Sequence, residues 1–116
     1  MRRLPVIRQA AVTECGLACI AMIASFCGVG HDLVSLRRRF GVSLKGATLQ
    51  TLMRVCEALG LMVRAVRCEI GELRRLRTPC VLHWGLDHFV VLKKVARRHV
   101  TLHDPARGRV RVSWAE

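Results

Sequence analysis

Apolar residues recur at helical spacing in the first quarter of the chain. They follow the three- and four-residue steps of one helix face at Cys19, Met22, Ile23, Phe26 and Cys27. We therefore predict a first helix over about residues 14–27, with Thr13 as its N-cap and Gly28 ending it.

A second, shorter helix is predicted over Leu33–Phe40. Asp32 precedes it as a suitable N-cap, and Gly41 follows it as a typical helix end. The three arginines at residues 37–39 are expected to face solvent.

A third helix is predicted over about residues 48–59, introduced by Gly46 and Thr48 and followed by Gly60. Its expected buried stripe consists of Leu49, Leu52, Met53, Cys56 and Leu59. A methionine in such a stripe usually belongs to the core, and the alternative is that Met53 lines a peptide groove.

The period of the apolar residues changes from helix to strand after Gly60. Alternation with arginines predicts a strand over residues 61–68, and residues 69–75 are expected to form one or two helical turns. Four more strands, the first continuously apolar and buried, are predicted over residues 79–84, His88–Val95, His99–Asp104 and 109–113. This order indicates an α+β fold in one domain over residues 1–116, with N-terminal helices packed on a C-terminal antiparallel sheet.

The chain of 116 residues is strongly basic, with a formal net charge of +12. Such a charge indicates an acidic partner: a nucleic acid, an anionic membrane surface or an acidic peptide. Aromatic residues make up only 4% of the chain and tyrosine is absent. Platforms for base stacking are therefore hard to build.

The six cysteines contain no CxxC pair, which favours reduced thiols in a cytosolic protein over a disulfide framework. Their spacing is not that of zinc ligands, so no metal is expected. The N-terminus imitates a signal peptide, but Pro5, Arg8 and Glu14 interrupt its apolar stretch. We expect neither a targeting signal nor a membrane-spanning segment within these residues.

Cys15 lies where the first helix is expected to begin. The positive end of the helix dipole favours the thiolate form of a cysteine there. Gly16 is expected to leave space beside the sulfur for a peptide backbone. Cys15 is therefore a candidate nucleophile. The alternative is that Cys15, four residues before Cys19, is one more small apolar residue of the core.

The predicted hairpin of His88–Val95 and His99–Asp104 supplies a partner for this thiol. If its loop is centred near Ala96, His88 lies directly opposite Asp104 on the same face of the sheet. A carboxylate that orients an imidazole, with a thiol on a separate buried helix, is the set of groups used by cysteine hydrolases. The other histidines are weaker candidates because of their positions in loops, at the hairpin end or on the opposite face: His31, His83, His99 and His103.

Four segments of the chain form a recognisable set of motifs. In chain order they are Gln9 with Glu14-Cys15-Gly16-Leu17-Ala18-Cys19, then Leu44-Lys45-Gly46-Ala47-Thr48-Leu49, then Pro79-Cys80-Val81-Leu82-His83-Trp84 with His88-Phe89-Val90-Val91-Leu92, then His103-Asp104-Pro105-Ala106 with Gly108. Together they resemble the double-glycine leader peptidases, papain-like N-terminal domains of bacteriocin-processing ABC transporters of the colicin V secretion type. The resemblance covers essentially the whole chain. It departs at Glu14, where many members have aspartate.

The resemblance implies a papain-like cysteine peptidase and a role for each motif residue. It assigns Cys15 as the nucleophile and His88 as the general base and then acid. Asp104 becomes the group that orients the imidazole. Gln9 becomes an oxyanion-hole donor, together with the backbone N–H of Cys15. No cofactor is implied.

The resemblance also implies the substrate and the partners. The substrate is a precursor peptide whose amphipathic, often acidic leader ends in Gly-Gly or Gly-Ala and is cut just after that pair. The partners are the membrane-spanning and ATPase domains of an ABC transporter, into which family members continue beyond this region. The implied location is the cytoplasmic side of the bacterial inner membrane, and no nucleic acid is implied.

Two other functions remain open at this point. A catalytically silent domain would dock export substrates without cutting them, as relatives that lack the nucleophile do. The presence of Cys15 with Gln9, His88 and Asp104 disfavours it. An arginine-rich nucleic-acid-binding protein would show a steep salt dependence of DNA binding. The scarcity of aromatic residues and the absence of a recognisable recognition helix disfavour that reading.

Overall fold

The computed structural model of the chain describes residues 3–10, 12–30, 32–41, 48–84 and 88–114. A 3₁₀ turn at Val12–Glu14 leads into the helices α1 (Cys15–Phe26), α2 (Leu33–Phe40) and α3 (Leu49–Ala58), and a second 3₁₀ turn spans Ile70–Arg75. The strands are β1 (Cys80–Trp84), β2 (His88–Val95), β3 (His99–Asp104) and β4 (Gly108–Ser113). They form an antiparallel sheet in the order β1-β2-β3-β4. The predicted α+β class, with helices first and then an antiparallel sheet, is confirmed.

Helix α1 lies at the centre of the core. It packs against β2, α2 and α3, and nine of its 12 residues are buried. A helix buried on several sides needs apolar residues around most of its circumference, so the predicted stripe is only part of its buried surface. Cys27, at the end of that stripe, is exposed. In the described parts of the chain, neither α1 nor another helix combines the length and apolar character needed to cross a membrane.

The helix ends depend on residues that the sequence marks. The Asp32 and Thr48 side chains each accept a hydrogen bond from the backbone N–H three residues further on, at 2.8 and 3.1 Å. The predicted N-cap of α2 is therefore confirmed, and Thr48, predicted to introduce α3, is the N-cap of that helix. Three glycines with positive φ follow the helices, at Gly28, Gly41 and Gly60. Gly46, predicted to introduce α3, lies outside the described residues.

The predicted N-cap of α1 is wrong. Thr13 lies inside the first 3₁₀ turn, and Glu14 occupies the N-cap position. The Glu14 side chain makes no capping bond to its own helix. It accepts hydrogen bonds from the backbone of Ala10 and from Arg37. The start of α1 is thus fixed by contacts with other elements, which local capping patterns do not reveal.

The buried face of α3 is rotated relative to the predicted stripe. Leu52, Val55 and Leu59 are buried, whereas Leu49 is 44% exposed. Met53 and Cys56 are half-buried. The reason is that α3 packs against α1 on one side and borders an open cavity on the other.

The predicted strand over residues 61–68 is wrong, because the segment has no regular structure. Alternating apolar and basic residues meet the side-chain requirement of a strand, but a strand also needs a neighbour for its backbone hydrogen bonds. Within the described residues β1 is an edge strand that pairs only with β2. For the same reason β1 is less buried than its apolar run predicts, and Val81 is exposed.

Candidate active site

The pairing of β2 with β3 differs from the predicted register by two residues. Val91 pairs with His103, so Asp104 lies two residues away from the position opposite His88. The loop is centred further along the chain than Ala96, and a β-bulge in β2 recovers only part of that difference.

His88 and Asp104 nevertheless form the expected contact. A register change of one residue would place their side chains on opposite faces, whereas a change of two keeps them on the same face. Diagonal neighbours on adjacent strands are within reach of a long side chain. Nε2 of His88 lies 2.7 Å from Oδ1 of Asp104. The structure therefore brings these two side chains together by a different register from the one predicted.

Asp104 is buried and binds three donors. Besides His88, its carboxylate accepts hydrogen bonds from the Ala106 N–H at 2.8 Å and from Nε of Arg107 at 3.1 Å. Burial raises the pKa of the Asp104 carboxyl, but these donors outweigh burial and hold the pKa below its usual value. Asp104 is therefore an anion that can fix the orientation of a neighbouring imidazole.

Arg107 was missed by the sequence analysis. Its signal is weak: an arginine three residues after an aspartate, in a turn that also contains proline and glycine. Only the folded turn directs its Nε to Oδ2 of Asp104.

The contact with Asp104 gives the two nitrogens of His88 different roles. Because Nε2 binds the carboxylate, Nδ1 is the nitrogen suited to exchange a proton with a reacting group. The His88 side chain is 32% exposed, so a substrate can approach it. One nitrogen held and the other available is the arrangement that a general base requires.

Cys15 is the first residue of α1 and is buried. Burial raises the pKa of the Cys19 thiol, one turn later, well above its usual value. Helix α1 packs against β2, and Cys15 belongs to the same buried cluster as Phe89, the residue after His88. Cys15 and His88 thus begin two elements that pack against each other.

Gly16 has a packing role that the sequence did not indicate. A Cβ atom at this position would approach the Leu52 side chain to 2.8 Å. Glycine therefore allows α3 to pack closely against α1. The expectation that Gly16 leaves space beside the Cys15 sulfur for a substrate backbone stays a prediction.

Gln9 is bound through its backbone to the region around His88 and Asp104, which we call the corner. Its N–H donates to the carbonyl oxygen of Pro105, the residue after Asp104, at 2.9 Å. Its side-chain Oε1 is buried and has no hydrogen-bond partner within the described residues. Because buried polar atoms in proteins nearly always have a partner, the Gln9 amide is a candidate for contact with a ligand.

The other histidines of the described residues have contacts of their own. Nδ1 of His103 is 2.9 Å from the carbonyl oxygen of Pro5 and so ties the N-terminal segment to the sheet. Burial lowers the pKa of His103, which keeps the ring neutral. His83 stacks on Phe89 with ring centroids 4.4 Å apart. His31 lies outside the described residues.

A second feature is an open apolar cavity of about 560 Å³. It lies between α3, residues 61–68, the Ile70–Arg75 turn and β1, and Met53 is among its lining residues. Five large apolar side chains that line it are exposed to solvent: Leu49, Met62, Val66, Ile70 and Val81. Arg64 and Arg77 also line it, and no carboxylate of the described residues does. Exposed apolar surface concentrated at one place is typical of a binding site.

The chain is similar in sequence to proteins of known class. The Peptidase C39 family matches residues 3–116. The colicin V secretion/processing ATP-binding protein CvaB of Escherichia coli is 53% identical over 107 residues, which cover 92% of this chain and 15% of that protein. The probable microcin-H47 secretion/processing ATP-binding protein MchF of the same species is 52% identical over 108 residues, covering 93% of this chain and 16% of that protein. The chain thus spans less than a fifth of the length of these relatives.

The chain is also similar to a solved structure. A double-glycine motif protease from an AMS/PCAT transporter, in complex with the leader peptide, matches with a TM-score of 0.91 at 32% identity. The match covers 98% of this chain and 82% of that one. The shared fold confirms the papain-like class expected from the sequence.

Proposed function

The chain belongs to the Peptidase C39 family of cysteine peptidases, and on that basis we propose that it cleaves secreted precursor peptides. Its substrate is a bacteriocin-type or similar precursor, whose leader it removes by cutting after a Gly-Gly or Gly-Ala pair. The observation that supports this proposal most strongly is the hydrogen bond between His88 and Asp104. His88 is the first residue of β2, against which α1 packs, and Cys15 is the first residue of α1.

The proposed reaction begins at the Cys15 thiol. Nδ1 of His88 takes the thiol proton, and the thiolate attacks the carbonyl carbon of the scissile peptide bond. His88 then gives the proton to the leaving amine, the C–N bond breaks, and a thioester with Cys15 remains. Water, deprotonated by His88, hydrolyses the thioester and releases the leader. Asp104 keeps the imidazole oriented and stabilises its charged form throughout.

The negative charge that develops on the carbonyl oxygen needs donors fixed in advance. The proposed donors are the side-chain amide N–H of Gln9 and the backbone N–H of Cys15. The backbone bond of Gln9 to Pro105, which holds this residue next to Asp104, supports this role.

The apolar cavity is the proposed docking site for the leader. An amphipathic helix binds a groove of this kind through its apolar face. Arg64 and Arg77 complement acidic residues beside that face, and the net charge of +12 attracts an acidic leader over longer distances. Small residues before the cut are selected if a narrow cleft excludes larger side chains.

The partners are proposed from the relatives. The two curated relatives are named as secretion and processing proteins that bind ATP, and the chain spans 15% and 16% of their lengths. Residues 1–116 accordingly act as a single peptidase domain with the membrane and ATPase domains of an ABC transporter. The proposed location is the cytoplasmic side of the bacterial inner membrane.

A synthetic precursor with a Gly-Gly leader tests the proposed function. The protein is incubated with the peptide, the products are identified by mass spectrometry, and binding is measured in parallel. The wild type is expected to make one cut after the glycine pair, and Cys15→Ala none. Cys27→Ala, a change of the exposed cysteine beyond the other end of α1, is the matched control and should cut normally. Binding by the wild type without cutting would instead indicate the silent docking domain.

A further inference from the structure

Glu14, the residue before Cys15, carries a buried carboxylate. It is only 5% exposed. Its Oε1 accepts hydrogen bonds from the Ala10 N–H at 3.0 Å and from Nη2 of Arg37 at 3.1 Å, and its Oε2 accepts one from Nε of Arg37. The guanidinium therefore binds both carboxylate oxygens, which is the strongest geometry for such a pair.

These bonds connect three elements of the candidate active site. Ala10 directly follows Gln9, and Gln9 is bonded through its own N–H to Pro105, next to Asp104. The segment at residues 9–10 is thus held at two points, by the residue after Asp104 and by the residue before Cys15. Arg37, on α2, holds the second of these points from the other side.

The charge of Glu14 makes the contact with Arg37 more important. A buried carboxylate without a cation is costly, and beside Cys15 it would oppose formation of a thiolate. Arg37 supplies the compensating charge, and its hydrogen bond to Glu14 raises the pKa of the guanidinium. The neighbouring arginines have other surroundings. All three arginines of this run are exposed, as predicted, but Arg37 binds Glu14 whereas Arg39 lies over the Phe40 ring at 5.0 Å.

We propose that Arg37 is a positioning residue for the peptidase reaction. Through Glu14 it fixes Gln9 relative to Cys15 and cancels the carboxylate charge next to the nucleophile. This inference rests on the proposed function. The sequence predicted only that the arginines at 37–39 face solvent. The contact with Glu14 adds a second role for one of them, Arg37.

The test separates kcat from KM for cleavage of the Gly-Gly precursor. Arg37→Gln is expected to lower kcat about 10- to 100-fold, the effect of displacing a catalytic group by about 1 Å, with KM nearly unchanged. KM should hold because Arg37 does not line the apolar cavity. Arg38→Gln, the same change one residue along α2, is the matched control and should keep both values.

The partner residue sharpens the test. Glu14→Gln keeps an oxygen that can accept from Ala10 but loses the charge-assisted two-point contact with Arg37 that holds this side chain in place, so it should lower kcat as well. If the two residues act as one unit, the double variant Glu14→Gln/Arg37→Gln will lose no more than the worse single variant. Independent, multiplying losses would contradict a shared role.

A second substitution of Arg37 keeps the test decisive. If Arg37→Gln does not fold, Arg37→Lys is measured, because it keeps the positive charge but loses the two-point contact. A lowered kcat with unchanged KM then supports the proposal. Unchanged kcat in a folded Arg37 variant, or an equal loss in Arg38→Gln, overturns it. A wild type that does not cut the precursor refutes the proposed function itself, so the two failures are distinguishable.

Discussion

The corner around His88 and the apolar cavity are built in opposite ways. In the corner, charged and polar groups are buried and held by specific partners, as Asp104 is by three donors and Glu14 by Ala10 and Arg37. In the cavity, large apolar side chains such as Met62 are exposed along a segment with no regular structure. Catalysis needs atoms fixed in advance, whereas docking needs apolar surface that a partner can cover. We therefore expect substitutions in the corner to lower kcat and substitutions in the cavity to raise KM.

The largest effect is expected in the corner, at Gln9. Gln9→Ala should lower kcat about 100- to 1,000-fold, the typical loss for one oxyanion-hole donor, with little change in KM. Steady-state cleavage of the Gly-Gly precursor measures both constants. Gln50→Ala, at an exposed position of α3, is the control and should behave as wild type. A rise in KM at constant kcat would place Gln9 in docking and break the division between the two regions.

A smaller effect of the other kind is expected in the cavity, at Val66. Val66→Asp places a charge on apolar lining surface and should raise KM about tenfold, which corresponds to about 1.4 kcal/mol, within the contribution of one partly buried valine. The value of kcat should not change. Val34, on α2, is exposed to a similar extent, 48% against 59%, and lies outside the cavity. Val34→Asp is therefore the matched control, and an equal rise in its KM would argue against docking in the cavity.

The smallest effect concerns the pH dependence of stability and is expected at His103, the residue before Asp104. Burial, with the nearby charges of Lys93 and Arg109, lowers the pKa of His103, although its bond to Pro5 opposes the shift. A histidine with a lowered pKa in the folded state stabilises the protein fully above its unfolded value of about 6.5. That contribution is lost as the pH falls through the folded-state pKa.

Urea unfolding checks the His103 prediction. The free energy of unfolding of the wild type should fall between about pH 7.5 and 5.5. In His103→Gln, which cannot take up the proton, the fall should be smaller. His99→Gln, at the other end of β3, should keep the wild-type pH dependence. Equal pH dependence in the wild type and His103→Gln would show that the pKa of His103 is the same in the folded and the unfolded state.

The sequence predicted most where a local pattern decides the structure. The Asp32 and Thr48 caps and the strands β2 and β3 are specified by residues within a few positions. The partnership of His88 with Asp104 was predicted because face, not register, decides it. Side chains of a strand alternate between the two faces of the sheet, so a shift of the register by two residues leaves both side chains on the same face.

The remaining features depend on contacts between distant segments. Arg37 follows Glu14 by 23 positions, and nothing in the local pattern distinguishes it from Arg38. Residues 61–68 have the alternation of a strand, but among the residues that the structure describes they have no strand to pair with. Gly16 shows its packing role only once Leu52 is beside it. Tertiary packing decided each of these positions.

The reactivity of the cysteines tests the central claim, an activated thiol at Cys15, most directly. The protein is treated with limiting iodoacetamide near neutral pH, and the rate at each cysteine is measured by peptide mapping. Exposure alone favours Cys27, which is exposed, over Cys15, which is buried. Activation by His88 predicts the reverse order, with Cys15 modified first and slowed selectively in His88→Ala. Faster labelling of Cys27 in the wild type, or a Cys15 rate that does not depend on His88, would contradict the account.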